Sequence, residues 1–119
     1  MTFGFSRDDA GTFLPAYVDR GILKDDPFQS IDIDGVGYLV DLATRKGREA
    51  AGARHFSVGV CGEHGGDARS IEFFVRKAKV DYVSCSPMRV PAALLAAAAS
   101  RIREQDDVAK AGAAGATSN

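Results

Sequence analysis

The sequence is short of several things, and each shortage excludes a class of protein. Its 119 residues hold only two cysteines, Cys61 and Cys85, and these are not spaced as a C-x-x-C pair. That is not the disulfide framework of a small secreted domain. A reducing cytoplasmic compartment is the default expectation, with an organelle left open. Neither charge is in excess, the formal net charge being −1. Nothing therefore points to a nucleic-acid partner or to a membrane surface. No apolar run approaches the roughly 20 residues that a membrane helix needs. Met1-Thr2-Phe3-Gly4 lacks the basic-then-apolar layout of a signal peptide. The length bounds the chain to one domain with a modest core. The apolar fraction, 45%, is that of an ordinary globular protein.

What is present alternates between helix and strand signals. Ser6 is a candidate cap, and Asp8 and Asp9 fall in the first helical turn, where acids suit the dipole. Phe13, Leu14, Tyr17 and Val18 recur at helical spacing, but Pro15 inside that pattern predicts two short pieces or a kink. Gly21 is a plausible stop. After a polar loop, Asp32 or Asp34 is expected to cap a helix with Val36, Leu39, Val40 and Ala43 as its apolar stripe. A strand at about 56–60, a helix over roughly 68–78 and a strand at about 81–85 follow. Ile71, Phe74 and Phe73 are expected to face inward. A last helix starts near Val90-Pro91, proline being tolerated in the first turn, and ends about Glu104. This β-α-β-α order predicts an α/β fold with about two parallel strands and crossover helices. From Asp106 the composition falls to Ala, Gly, Lys, Ser and Asn, so 106–119 is expected to be a disordered tail behind a folded region of residues 1–105.

The stretch around which the rest is organised is Val58-Gly59-Val60-Cys61-Gly62-Glu63-His64-Gly65-Gly66-Asp67. A β-branched run delivers a thiol to the C-terminal end of a strand. Three glycines within the next five residues let the backbone turn tightly where side chains would obstruct. In α/β folds that edge of the sheet is where active sites sit. A small buried core residue is the plain reading of a free cysteine. Position at a strand end beside glycines favours a role. Gly62, Gly65 and Gly66 serve as turn glycines and as candidate backbone walls of a pocket. Glu63, His64 and Asp67 match no metal-ligand spacing, so no metal site is assigned to this chain. His64 is a candidate for tuning the thiol, whereas His55 reads as solvated. Ser30-x-Asp32-x-Asp34-Gly35 with Asp41 imitates a calcium loop, but its first, eighth and twelfth positions are wrong for one.

Several segments carry a resemblance in the same order. They are Thr2-Phe3-Gly4-Phe5-Ser6-Arg7-Asp8-Asp9, Gly21-Ile22-Leu23 with Asp26-Pro27-Phe28, and Cys61 to Asp67. Ser70-Ile71-Glu72-Phe73-Phe74 and Asp81 to Pro87 with Arg89-Val90-Pro91 complete the set. Together, from Thr2 to about Ala98, they resemble the C-terminal end of the pyruvate phosphate dikinase family. Two relatives share its barrel: phosphoenolpyruvate synthase and the phosphotransferase-system enzyme that takes phosphate from phosphoenolpyruvate. Gly62 to Asp67 fits the dikinase better than either.

The resemblance implies the last two units of a (β/α)8 barrel, a fold that takes about 250 residues when whole. The earlier strands that carry the family's magnesium carboxylates and most of its substrate arginines would then lie outside this chain, which resembles a fragment. The chain begins just after the stretch where the family places a magnesium-binding aspartate. The implied activity interconverts ATP, pyruvate and phosphate with AMP, phosphoenolpyruvate and pyrophosphate through a phosphohistidine carrier. The implied role of Cys61 is general acid/base at the methylene carbon of the pyruvate enolate. A thiol, with an ordinary pKa of about 8.5, suits that task when its site tunes it. Mg2+, held elsewhere, would stabilise the oxyanion. Implied partners are the remainder of the barrel, the phosphohistidine and nucleotide-binding domains, and a second copy in a homodimer. Cys85 resembles a family position too and reads as packing; a Cys61–Cys85 disulfide would disable the acid. Arg89 reads either as a phosphate or carboxylate ligand or as a structural arginine. The alternative to an enzyme fragment is a non-catalytic remnant, or a subunit that completes a barrel with another polypeptide.

Overall fold

A computed structural model of the chain describes residues 4–116. Thr2 and Phe3, which open the resemblance, and 117–119 of the expected tail lie outside the described residues. The N-terminal helical segment is divided as Pro15 predicts, into α1 (Arg7–Ala10) and α2 (Leu14–Asp19), with the proline in the first turn of α2. Ser6 caps α1 by accepting from the Asp9 N–H at 3.2 Å. Phe5, Phe13 and Tyr17 stack edge to face. Gly21 then turns the chain with φ +69°.

The next helix, α3 (Tyr38–Ala51), is entered differently from expectation. A π-helical turn over Ile33–Gly37 precedes it, closed by Gly37 N–H to Asp32 O at 2.8 Å. Neither Asp32 nor Asp34 provides a side-chain cap, because this wide turn carries the backbone into α3 and leaves Gly37 at the boundary. The buried stripe is also displaced. Val36 and Leu39 are 47% and 59% exposed, and Ala43 is exposed, whereas Gly37 and Thr44 are buried and Val40 partly so. Small residues decide this. A β-carbon at Gly37 would come 2.9 Å from the Phe73 ring, so α3 docks through its glycine face rather than its largest apolar side chains.

Strands β1 (Gly59–Cys61) and β2 (Tyr82–Ser84) pair in parallel, in the register Gly59↔Tyr82, Val60↔Val83 and Cys61↔Ser84. The Tyr82 ring occupies the space above Gly59, where a side chain would otherwise stand. Between the strands runs the crossover helix α4 (Ala68–Arg76), with Ile71, Phe73 and Phe74 buried as its spacing predicts. Phe73 and Phe74 join Ile31, Ala78 and Val80 in the core, flanked by Val40, Val58, Val60 and Val83. Burying each large side chain is worth about 1.5–3 kcal/mol. The lower ends of both strands are pinned by Asp81. Its carboxylate accepts from Val58 N–H at 2.8 Å and from Arg48 at 3.0 Å, and Arg48 also donates to Lys79 O at 2.7 Å. The Val58 N–H bond, then the Arg48 guanidinium, holds the Asp81 carboxyl below the usual carboxylate range.

After a 3₁₀ turn at Pro87–Arg89, α5 spans Val90–Ala116. It passes the end expected near Glu104 and includes much of the segment read as a disordered tail. Alanine is the best helix former. Ion pairs from Lys79 to Glu104 and from Arg76 to Asp107 carry α5 along α4 beyond the expected stop. The face toward α4 is small, with Ala93 and Ser100 buried. Leu94 (66%), Leu95 (73%) and Ile102 of α5 stay exposed. Among the described residues no helix is long and apolar enough to cross a membrane.

Candidate active site

Cys61 is the last residue of β1 and is exposed. Among the described residues no hydrogen bond or ion pair reaches its thiol. The chain leaves the strand through Gly62, whose φ of +105° and ψ of −165° suit only glycine. A 3₁₀ turn over Glu63–Gly66 then leads into α4.

Each residue of this turn has its own anchor. Glu63 takes Arg89 Nη2 at 2.9 Å and Arg7 Nη1 at 3.3 Å. Arg89 Nη1 also donates to the Glu63 carbonyl at 3.3 Å. Arg89 is thus drawn to the loop. His64 Nε2 lies 2.8 Å from Pro27 O. A carbonyl only accepts, so Nε2 carries the proton, and the ring ties the Cys61 loop to the 24–30 segment rather than to the thiol. Gly65 is buried against the backbone of Ser84, and Gly66 lies under the aliphatic part of Arg89. These two glycines owe their place to packing against the exit of β2.

Asp67 is the residue whose role sequence reasoning missed. Its Oδ2 accepts from the Ser70 N–H at 2.8 Å, the Ser70 hydroxyl at 2.6 Å and the Ser30 hydroxyl at 3.1 Å. Ser70 Oγ in turn accepts from Ile31 N–H at 2.9 Å. Partial burial works against the carboxylate, but the bonds from Ser70 and Ser30, with the Arg69 charge nearby, outweigh it and lower the pKa. The Asp-x-x-Ser spacing ahead of an apolar run was the available signal. It also disposes of the calcium-loop imitation, since Ser30 is engaged by Asp67.

The two strand-end cysteines stand apart in role. Cys85 is half-buried and unpaired, and it lines a cleft of about 280 Å³ with Val83, Val90, Ala93, Leu94 and Ala97. A larger cleft of about 460 Å³ lies between the 23–36 segment and Arg69, which pairs with Asp25 at 2.5 Å. Cys61 does not line it. Among the described residues no three His, Cys, Asp or Glu side chains gather as a metal ion requires. The donor set does not fit the magnesium ion that the resemblance implies.

An exposed thiol thus stands at the C-terminal end of a parallel strand, followed by a glycine turn. Residues 1–102 match the family described as PEP-utilising enzyme, PEP-binding domain. The chain belongs to that family. It is 59% identical over 98 residues to the chloroplastic pyruvate, phosphate dikinase of Mesembryanthemum crystallinum. It is 60% identical over the same length to pyruvate, phosphate dikinase 1, chloroplastic, of Oryza sativa subsp. japonica. With pyruvate, phosphate dikinase 2 of Zea mays it shares 58% identity. Each alignment covers 82% of this chain but only 10% or 11% of the relative, so the chain spans about a tenth of the length of these curated relatives. The two-stranded parallel sheet with its helices is compatible with part of a PEP-binding domain.

Proposed function

We propose that this chain is the C-terminal part of the (β/α)8 barrel of a pyruvate phosphate dikinase, and that Cys61 is its acid/base at carbon. The observation that carries the reading is the exposed Cys61 thiol at the strand exit, within a stretch nearly 60% identical to plant dikinases. In the direction of phosphoenolpyruvate synthesis the Cys61 thiolate takes a proton from the pyruvate methyl group. The C–H electron pair becomes the enolate double bond, and the enolate oxygen receives the phosphoryl group from the phosphohistidine. In reverse, the thiol protonates the methylene carbon from one face. Gly62, without a side chain, leaves that face open to a ligand. No step is assigned to magnesium, because this chain offers it no fitting donors. The assembled enzyme would add the rest of the barrel and the phosphohistidine and nucleotide-binding domains, as a homodimer.

The experiment is Cys61→Ala in a complete dikinase carrying this segment. Overall turnover is expected to vanish while phosphohistidine still forms from ATP and phosphate. Loss of both half-reactions would assign Cys61 a structural role instead.

A second reading, a subunit that completes a barrel with a separate polypeptide, fits the same exposed surface. Helix α5 exposes Leu94 and Leu95 beside the Cys85 cleft, as a surface awaiting cover would. The size of the native polypeptide separates the two: a band at 12.6 kDa supports a separate subunit, and one several times heavier supports a whole dikinase.

A further inference from the structure

Gly62 creates a problem for a catalytic thiol next to it. Its φ of +105° is a conformation that residues with side chains rarely adopt, and nothing lies within 4 Å of where its β-carbon would be. Gly62 O accepts from Gly65 N–H at 3.0 Å, so the turn closes on itself, and contacts from outside it set where it lies against the strand exits. His64 and Gly65 hold the middle of the loop, against Pro27 and Ser84, and Asp67 holds its end. Residue 63, next to Gly62, is held through its carboxylate and its carbonyl.

We propose that Glu63 and Arg89 are positioning residues for Cys61, a proposal that rests on the acid/base reading of that thiol. Arg89 leaves the 3₁₀ turn that follows β2, the strand paired with β1. Its guanidinium grips residue 63 twice, through the carboxylate at 2.9 Å and the main-chain carbonyl at 3.3 Å. Its aliphatic stem covers Gly66. One side chain from the exit of β2 therefore clamps both ends of the 3₁₀ turn that follows the thiol. The planar fork of arginine meets a carboxylate and a carbonyl together; a lysine ammonium is a point charge and lacks that fixed fork. Arg7, from α1, backs the same carboxylate at 3.3 Å.

Stability is not what this pair contributes. The two side chains are 44% and 40% exposed, and exposed ion pairs add little to folding. Arg89 is also not disposed as a ligand arginine, since both its terminal nitrogens are committed to Glu63. The pair links the exits of two adjacent strands, and geometry is what such a link can supply. A misplacement of about 1 Å at a reacting group can cost on the order of 10²-fold in rate.

The test uses a complete dikinase carrying this segment and reads deuterium exchange into the methyl group of pyruvate, the step that Cys61 would perform. Arg89→Ala and Glu63→Gln are expected to lower the kcat for exchange by about 10–10²-fold. The KM for pyruvate and the ATP/phosphate half-reaction should stay within about twofold. Arg89→Lys should recover only part of the loss. Unchanged exchange in the single variants would overturn the proposal. So would a loss that strikes both half-reactions equally and follows the thermal midpoint. Cys61→Ala is measured alongside. If it abolishes exchange while the Arg89 variants do not, positioning alone fails. If it leaves exchange intact, the reading of Cys61 fails first.

Discussion

Gly65 packs directly against the main-chain carbonyl of Ser84, the last residue of β2. A β-carbon at position 65 would overlap that oxygen and lie 3.1 Å from the carbonyl carbon. Backbone in a paired strand cannot step aside, and overpacking of this kind costs about 1–3 kcal/mol. At Gly66 the added carbon would meet the Arg89 side chain, whose Cδ and guanidinium can rotate away. Gly65→Ala should therefore lower thermal stability clearly more than Gly66→Ala. Gly62→Ala should also be costly, by about 1–3 kcal/mol, for a reason of conformation rather than space. Equal losses at 65 and 66, measured by thermal denaturation, would refute the packing account.

Asp67 ties α4 to the 30–31 segment, and its removal should loosen both. Replacing an N-cap aspartate by alanine costs about 1 kcal/mol, within a range of 0.5–2. The Ser30 and Ser70 hydroxyls lose their acceptor as well. The pH dependence has a definite sign. The folded carboxyl is held below its ordinary value of 3.8, so the native state releases this proton more readily than the unfolded chain. The stabilisation is fully present above about pH 4 and is lost as the pH falls through the lower, folded pKa. Amide exchange of residues 68–71, corrected for intrinsic rates, should accelerate in that acid window. In Asp67→Asn this acid-dependent component should be gone. An unchanged acid response in the variant would remove Asp67 as its source.

The sequence made the site more legible than the packing around it. Cys61 at a strand exit, the glycines behind it and the parallel order of two strand–helix units were all readable, because strand periodicity and glycine spacing are local signals. The division at Pro15 was readable for the same reason. The buried face of α3 was not. Side-chain size pointed to Val36 and Leu39, but the ring of Phe73, 36 residues along from Gly37, needs the space that only a glycine leaves. Ser30, Asp67 and Ser70 meet across 37 residues of sequence, a distance that no local pattern encodes. Composition also ended α5 too early, since it takes no account of the arginine and lysine on α4 and after it that hold Asp107 and Glu104.

The extension of α5 divides into two parts with different expected behaviour. Up to Asp107 the helix is tied to Arg76 and Lys79. Over residues 108–112 no hydrogen bond or ion pair reaches another element among the described side chains, and Val108 is exposed. Exposed pairs are each worth about 0.2–1 kcal/mol, enough to bias a helix end but not to hold a further turn. Amide hydrogen exchange should be slow through about Glu104 and rise steeply after Asp107. Ending the chain after Asp107 should leave the thermal midpoint unchanged, whereas Arg76→Ala with Lys79→Ala should move the onset of fast exchange back toward Arg103, which Glu72 still holds at 2.9 Å. Uniform protection to Ala116 would mean that the terminal helix is held by something other than these two pairs.

The chain expressed by itself should be inactive and prone to associate. A two-stranded sheet leaves an unpaired edge on each strand, and unpaired edges recruit other strands. Leu94, Leu95 and Ile102 on α5, with Val36 and Leu39 at the start of α3, add apolar surface that the core does not use. The Cys85 cleft, lined by residues of β2 and α5, adds further apolar surface. The proposed barrel would account for all of these features, since its remaining strands and helices would cover them. Hydrophobic-dye binding and sedimentation should report association of the purified chain, and co-expression with an upstream dikinase barrel segment should suppress both. Cys61 would then gain a pocket from strands this chain lacks, and pyruvate-methyl exchange should appear only in the mixture. A monodisperse, dye-silent chain would contradict the exposed faces, and turnover of ATP, pyruvate and phosphate by the chain alone would overturn the incomplete-barrel reading.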